Sequence, residues 1–312
     1  MNCYDKLKII TKINYIDNIN NNEFISHYKD NELLYYKYQQ KSPYSLLIMI
    51  NYIHNELVIE FTSKILKERF VELINKNNIK QCLNNINDLY ICSLDVDSIL
   101  IDSSVVKCDE TKVIGHDSIK EIVGIISTNI TNHRKWITKP YKNGGIVIEN
   151  IASTARYKKR LSFYDKSKEL LKSENSTFLN SLKNKSEVLR HYNDKIHVEL
   201  NINTIKQIKE LLMIPNNNLN TVLNTEHSAI LNVFDEAVKI SCNNKVQNFS
   251  WRDSERKAML EICDYDLIKV EMNMRNIVSK NTSITKTMKP YVELYHRLQT
   301  PSRQVDIRKL IA

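Results

Sequence analysis

The chain has 312 residues, a formal net charge of +9 from 45 Lys and Arg against 36 Asp and Glu, and an apolar fraction of 42%. The length suits one large domain or two moderate ones and suffices to bury a core without disulfides or metals. The apolar fraction excludes a disordered chain, and no run approaches the roughly 18 uncharged apolar residues of a membrane span, so no membrane partner is expected.

In chain order, residues 6–13 alternate in part between apolar and polar and predict a strand. Runs at 32–39, 45–53 and 56–62 follow at short intervals, with Pro43 and the His54-Asn55 pair at the turns, which is the spacing of an antiparallel meander. From Ser63 the period changes. Residues 64–75 put Ile65, Leu66, Phe70, Val71 and Leu73 on one broad face and predict a helix, followed by a second short one at 79–86. Strands are predicted at 89–94 and 103–113, an amphipathic helix at 117–130 capped by Asp117 or Ser118, and a strand at 145–149 opened by Gly144 and Gly145. Next come a strand at 160–164, a helix at 165–172, a strand at 195–202 and a helix at 205–213. Asn203 or Thr204 caps the last of these, and Pro215 with the Asn run behind it ends it. Beyond about residue 220 the strand signals fade, and 226–240, 253–263, 265–278 and 285–298 have helical spacing. The expectation is an α+β fold, with a mainly antiparallel sheet and flanking helices over 1–215. A helical C-terminal domain over 216–312 would serve DNA binding or dimerisation.

Six scattered cysteines, Cys3, Cys82, Cys92, Cys108, Cys242 and Cys263, include no Cys-x-x-Cys pair. They suggest neither a zinc site nor a disulfide framework and read as reduced, buried thiols of a cytosolic protein. The first residues show no basic cluster followed by an apolar stretch, so no secretory signal is expected. Abundant Asn, Ile and Lys are what AT-rich coding would produce, so a sequence pI of 9.0 suggests nucleic acid without proving it.

Three constellations carry candidate chemistry. Residues 160–169 run from a strand ending at Tyr164 straight into a charged helix start, which can present the phenol at a sheet edge near Arg160, Lys166 and Lys168. A tyrosine attacking a phosphodiester needs such cations to favour the phenolate, whose ordinary pKa is about 10, and to stabilise charge on the phosphate. With 16 tyrosines in the chain, residue type alone speaks more for a core tyrosine beside a solvated charge run. The strand at 105–111 places Lys107, Asp109 and Thr111 on one face and Cys108 and Glu110 on the other, so Asp109 reads as a turn-side acid or a metal ligand. On the strand at 196–200, His197 and Glu199 share a face, either to hold one divalent cation or as a solvated surface. Glu60 is a further candidate ligand on weaker grounds. The stretch 133–142, with Arg134, Lys135 and Trp136, reads equally as a nucleic-acid contact through charge and stacking or as a basic loop. Phosphate-binding, dinucleotide and serine-hydrolase motifs are missing.

Taken in order, the segments at 57–66, 79–87, 105–111, 160–170 and 197–201 resemble the gene II/X family of phage and plasmid replication proteins, over roughly residues 5–240. Members are similar to rolling-circle replication initiators, which nick one origin strand through a tyrosine, keep the 5′ end covalently and require a divalent metal. The resemblance implies a five-stranded nicking domain with Tyr164 as nucleophile and Lys166 beside it. It implies Asp109 and Glu199 as ligands of Mg²⁺ or Mn²⁺ on adjacent strands; His197, where relatives are expected to carry Arg, is a third candidate ligand. Arg160, Lys166 and Lys168 would contact phosphate. Tyr157 and Tyr192 stay open as alternative nucleophiles. The implied partners are origin DNA, single-stranded or extruded, a host helicase or polymerase, and a second copy of the chain, all in the cytoplasm of a bacterial host. The wider superfamily's His-hydrophobic-His metal motif is missing. Two competing readings are a non-catalytic initiator of winged-helix type and a family member that binds DNA but has lost catalysis.

Overall fold

The computed structural model describes residues 2–151, 158–239, 250–277, 283–299 and 305–312. The chain divides into two compact units, Met1–Lys239 with Asp306–Ala312, and Ile240–Val305. The first is built on ten strands: β1 (Cys3–Lys12), β2 (Ile25–Lys29), β3 (Glu32–Gln40), β4 (Leu46–Asn51), β5 (Glu56–Thr62), β6 (Ser104–Gly115), β7 (Trp136–Tyr141), β8 (Gly145–Asn150), β9 (Arg160–Asp165) and β10 (Lys195–Ile202). They form one sheet in the order β2-β3-β4-β5-β1-β6-β10-β9-β8-β7, antiparallel throughout. The predicted α+β class is therefore present, but the sheet is twice as wide as the resemblance implies. The meander over β2 to β5 joins through β5 and β1, and Trp136–Tyr141, within the stretch read as either a nucleic-acid contact or a basic loop, pairs as the edge strand β7.

The helices of this unit are α1 (Ile79–Asn87), α2 (Val96–Asp102), α3 (Ile119–Asn129), α4 (Lys166–Leu170), α5 (Ser176–Ser181), α6 (Lys185–Tyr192), α7 (Ile205–Leu212), α8 (Leu219–Asn224) and α9 (Ala229–Ala237). The second unit carries α10 (Trp251–Ile262), α11 (Leu267–Ile277) and α12 (Ile284–Gln299), and α13 (Ile307–Ile311) returns to the first. Among the described residues no helix is long and apolar enough to cross a membrane. The expected boundary at residue 215 falls inside the first unit. The apolar faces of α8 and α9 (Leu219, Val222, Ala229, Ile230, Val233, Phe234) are buried there, and Phe234 packs on Phe163 of β9. Three helices of the second unit share a core of Leu260, Cys263, Val270, Met274, Met288 and Leu294.

Local chemistry explains most element boundaries. Ser118 caps α3 by accepting the Glu121 N–H at 3.3 Å, and Thr204 caps α7 by accepting the Gln207 N–H at 3.2 Å. The predicted helix at 64–75 is instead a run of 3₁₀ turns over Ser63–Glu72, interrupted at Lys67 with φ 54°. Asn85 of α1 donates to the Ile65 carbonyl at 2.8 Å, taking the acceptor that a continuous helix would have used. The predicted strand at 89–94 survives only as Ser93–Leu94, paired with Ile16–Asp17.

The sheet has two unlike faces because side chains alternate along each strand. One carries Leu7, Ile9, Cys108, Ile114, Leu161, Phe163, Val198 and Leu200, all buried, with α7, α9 and α13 packed over it. The other carries Lys6, Lys8, Glu60, Lys107, Asp109, Arg160, Ser162, Tyr164, His197, Glu199 and Asn201. The 3₁₀ segment and α4 to α6 cover one end of this polar face. Phe70, Leu170, Phe178, Leu179, Leu182, Val188 and Tyr192 form an apolar cluster there that also takes in Val113. Its other end, with Lys6, Lys8, Lys107, Arg160 and Asn201, stays half-buried.

Candidate metal and tyrosine site

The site lies at the border between the covered and open ends of the polar face. Register brings its strands together: Tyr164 pairs with His197, Ser162 with Glu199, Arg160 and Asp109 each with Asn201, and Lys6 with Asp109. The β1–β6 register shifts between Tyr4 and Lys6, leaving Asp5 as the extra residue. Such irregularities re-aim one side chain against the strand's alternation. Asp5 thereby comes to lie with His197 and Glu199, one ligand atom of each within 4.8 Å of the others.

Hydrogen bonds tie the surrounding groups to this triad. Tyr164 Oη donates to Glu199 Oε2 at 3.0 Å. Asn201 Nδ2 donates to Glu199 Oε1 and to Asp109 Oδ1, both at 2.9 Å. Ser63 Oγ donates to Asp5 Oδ1 at 2.5 Å. Lys166, buried with its side chain 6% exposed, sits 3.6 Å from Asp5 Oδ2 and 3.0 Å from Glu169 Oε2, and Lys142 donates to Glu169 Oε1 at 2.8 Å.

The electrostatics are uneven. Burial raises the Asp5 carboxyl, but Lys166 and the Ser63 hydroxyl help bring it down to about 2. Glu169 behaves likewise, its burial outweighed by Lys166 and Lys142, and lies at about 2. Glu199 and Asp109 go the other way. Burial raises both, Asp5 adds to the rise of Glu199, and Glu199 helps push Asp109 up to about 7. Burial, with Lys166 nearby, lowers His197 to about 3, so its imidazole is neutral and able to ligate. Among the described residues, both His197 ring nitrogens are buried without a hydrogen-bond partner, as are Ser162 Oγ and Tyr192 Oη. Buried polar atoms normally find partners, so orphaned ones beside surplus carboxylate mark a place for a ligand. Two carboxylates and a neutral imidazole form a donor set that fits a divalent cation.

The structure brings together Tyr164, Lys166, His197 and Glu199 and sets Asp109 outside the ligand triad. Asp109 reaches Glu199 through Asn201, and Asp5 stands in its place. Glu60 is also outside the triad, ion-paired with Lys6 and 3.6 Å from Lys8. Trp136 is fully buried and offers no face for a base to stack on, because β7 turns its ring into the body. Lys135 pairs with Glu236, Lys168 pairs with Asp165 at 3.0 Å, and Arg134 is exposed. Arg160 is half-buried, its guanidinium 5.0 Å from the Tyr141 ring centroid. Cations do approach the Tyr164 ring, with Lys142 at 4.9 Å and Lys166 at 5.8 Å from its centroid. They do not favour the phenolate as expected: burial, then Glu199 and Glu169, raise the phenol well above 10. Tyr192 is buried with a raised phenol, and Tyr157 lies outside the described residues. Sequence reasoning missed Asp5, because alternation along 6–13 cannot register an extra residue before Lys6.

No protein-family model and no curated protein matches the sequence. A solved structure of a rolling circle replication initiator protein from Geobacillus stearothermophilus matches with 10% identity over 79% of this chain and 90% of that chain, at a TM-score of 0.38.

Proposed function

We propose that this chain initiates rolling-circle replication by nicking one strand of origin DNA through a metal-assisted transesterification. The observation that carries the proposal is the convergence of Asp5, His197 and Glu199 on a tyrosine whose hydroxyl is 3.0 Å from Glu199, at the edge of a sheet face lined with Lys6, Lys8, Lys107 and Arg160. The order of the replication-protein segments in the sequence supports the same reading. Asp5, His197 and Glu199 would hold the cation, of the Mg²⁺ or Mn²⁺ class. When bound, it supplies Lewis-acid polarisation of a phosphoryl oxygen.

Glu199 accepts the Tyr164 proton, and the phenol oxygen attacks phosphorus. A P–O bond forms to tyrosine while the bond to the 3′ oxygen breaks, and that oxygen leaves as a 3′-hydroxyl on taking up a proton. The 5′ end stays on the protein as a phosphotyrosine. Burial and the neighbouring Asp5 raise the Glu199 carboxyl, which makes it a stronger proton acceptor than an ordinary carboxylate. Host helicase or polymerase, a second copy of the chain and a bacterial cytoplasm belong to the same proposal.

A non-catalytic origin-binding reading draws on one observation, the 1% exposure of Tyr164. Labelled single-stranded origin oligonucleotide and Mn²⁺ separate the two. The nicking reading expects a covalent protein–DNA band for the wild type that is lost in Tyr164→Phe. A band that persists in the variant sinks the nucleophile, and retarded DNA with no band on any origin strand supports binding alone.

A further inference from the structure

The geometry points to Lys166 as a resident cation of this site. It neutralises Asp5 in the absence of metal, lowers the affinity for a divalent cation, and so makes metal binding depend on an incoming phosphate. The inference rests on reading Asp5, His197 and Glu199 as a metal site.

Lys166 Nζ lies 3.6 Å from Asp5 Oδ2, and Asp5 is one of the three ligands. An ammonium and a dication drawn to one carboxylate repel each other, and burial leaves little solvent or salt to screen them. Lys166 is held between two carboxylates, Asp5 and Glu169. It can give way by moving toward Glu169, already 3.0 Å from it. Glu169 is shared with Lys142, so that retreat leaves two ammoniums on one carboxylate. The imbalance calls for an anion. A cavity of about 170 Å³ provides room for one, lined by Asp5, Lys64, Lys166 and Glu169 with the hydroxyl residues Ser45 and Thr62. Lys64 Nζ donates there to Asn175 Oδ1 at 2.7 Å. A phosphodiester entering the cavity meets Lys64 and Lys166, draws Lys166 off Asp5, and frees that carboxylate for the metal. Metal and phosphate then raise each other's affinity by the same factor, as linkage requires.

Mn²⁺ binding, followed by electron paramagnetic resonance on the full chain with and without single-stranded oligonucleotide, tests this. Wild type should bind Mn²⁺ at least tenfold more tightly with oligonucleotide present. Lys166→Met should bind it at least tenfold more tightly than wild type without oligonucleotide and show less than threefold coupling. Its melting temperature, lowered by the uncompensated carboxylates, should rise more on adding Mn²⁺ than that of wild type. Glu169→Gln keeps Lys166 and leaves it Asp5 alone, so its affinity should fall at least threefold. Lys206→Met, which removes an exposed lysine on α7 over the opposite sheet face, should stay within twofold of wild type. Unchanged affinity and coupling in both Lys166→Met and Glu169→Gln overturn the role of Lys166 while leaving the metal site standing. Loss of Mn²⁺ binding in Asp5→Asn marks that second case. No Mn²⁺ binding by any form overturns the metal reading and the inference together.

Discussion

His197 is surrounded by aromatic rings, with Tyr164 at 5.0 Å and Tyr192 at 6.4 Å between centroids, yet among the described residues neither of its nitrogens has a hydrogen-bond partner, Glu199 Oε2 lying 3.8 Å from Nε2. A histidine kept for packing alone would tolerate replacement by Phe, whereas a ligand would not. His197→Phe is therefore expected to fold and to lose Mn²⁺ affinity at least tenfold, read by calorimetry. On the opposite sheet face Glu110 is buried, accepting from Ser228 Oγ at 2.7 Å and from the Ala229 N–H at 2.8 Å at the start of α9. Burial dominates these bonds and raises its carboxyl from 4.5 to about 7. The folded protein thus binds this proton more tightly than the unfolded chain. The stabilisation is complete below about pH 4.5 and is lost as pH rises through about 7. Glu110→Gln keeps an acceptor and cannot ionise. Between pH 5 and 8 the wild type should lose on the order of 3 kcal/mol more stability than the variant in urea titrations. An equal pH dependence would show that Glu110 is not the group responsible.

At the scale of elements, β8 allows the Tyr141 ring to reach across to Tyr164, with centroids 5.5 Å apart. Gly145 makes room for this. A Cβ there would fall 2.2 Å from the Phe163 carbonyl oxygen and 3.0 Å from Tyr164 Cα, both backbone atoms of β9. Gly145→Ala must push β8 and β9 apart and should cost on the order of 3 kcal/mol, measured by denaturant unfolding. It should also reduce covalent adduct formation, because Tyr164 moves with its strand. Such pairings explain what was legible beforehand. The strands from Glu32 to Thr62, β9, β10 and the caps Ser118 and Thr204 follow from local alternation and hydrogen-bonding chemistry, so they could be read directly. So could the shared face of His197 and Glu199. Asp5 could not, since its role arises from a one-residue register shift between two strands a hundred residues apart in sequence. Trp136 could not either: whether a basic aromatic stretch is a loop or an edge strand is decided by its pairing with Ile146 to Asn150, which lies outside the segment itself.

At the scale of the whole molecule, Ile240–Val305 interrupts a body that is completed by α13. Ile307 and Ile311 are fully buried, Arg308 makes a two-pronged ion pair with Asp235 at 2.8 and 2.9 Å, and Lys112 donates to the Ile311 carbonyl at 2.5 Å. Joining Lys239 to Asp306 by a Gly/Ser linker should give a folded protein that still binds Mn²⁺, whereas removing 306–312 should lower the melting temperature. The reverse outcome would mean that the body depends on the inserted helices rather than on α13. DNA binding by the full chain should weaken with log-linear dependence on salt, and Lys8→Ala should flatten that slope by about one ion. The interruption also has a consequence for synthesis. The ribosome must translate all of Ile240–Val305, on the order of several seconds of elongation, before the residues that seal α9 and β6 exist. Until then Asp235 and the apolar floor beneath β6 stay uncovered. A nascent chain is thus exposed to premature association during that interval.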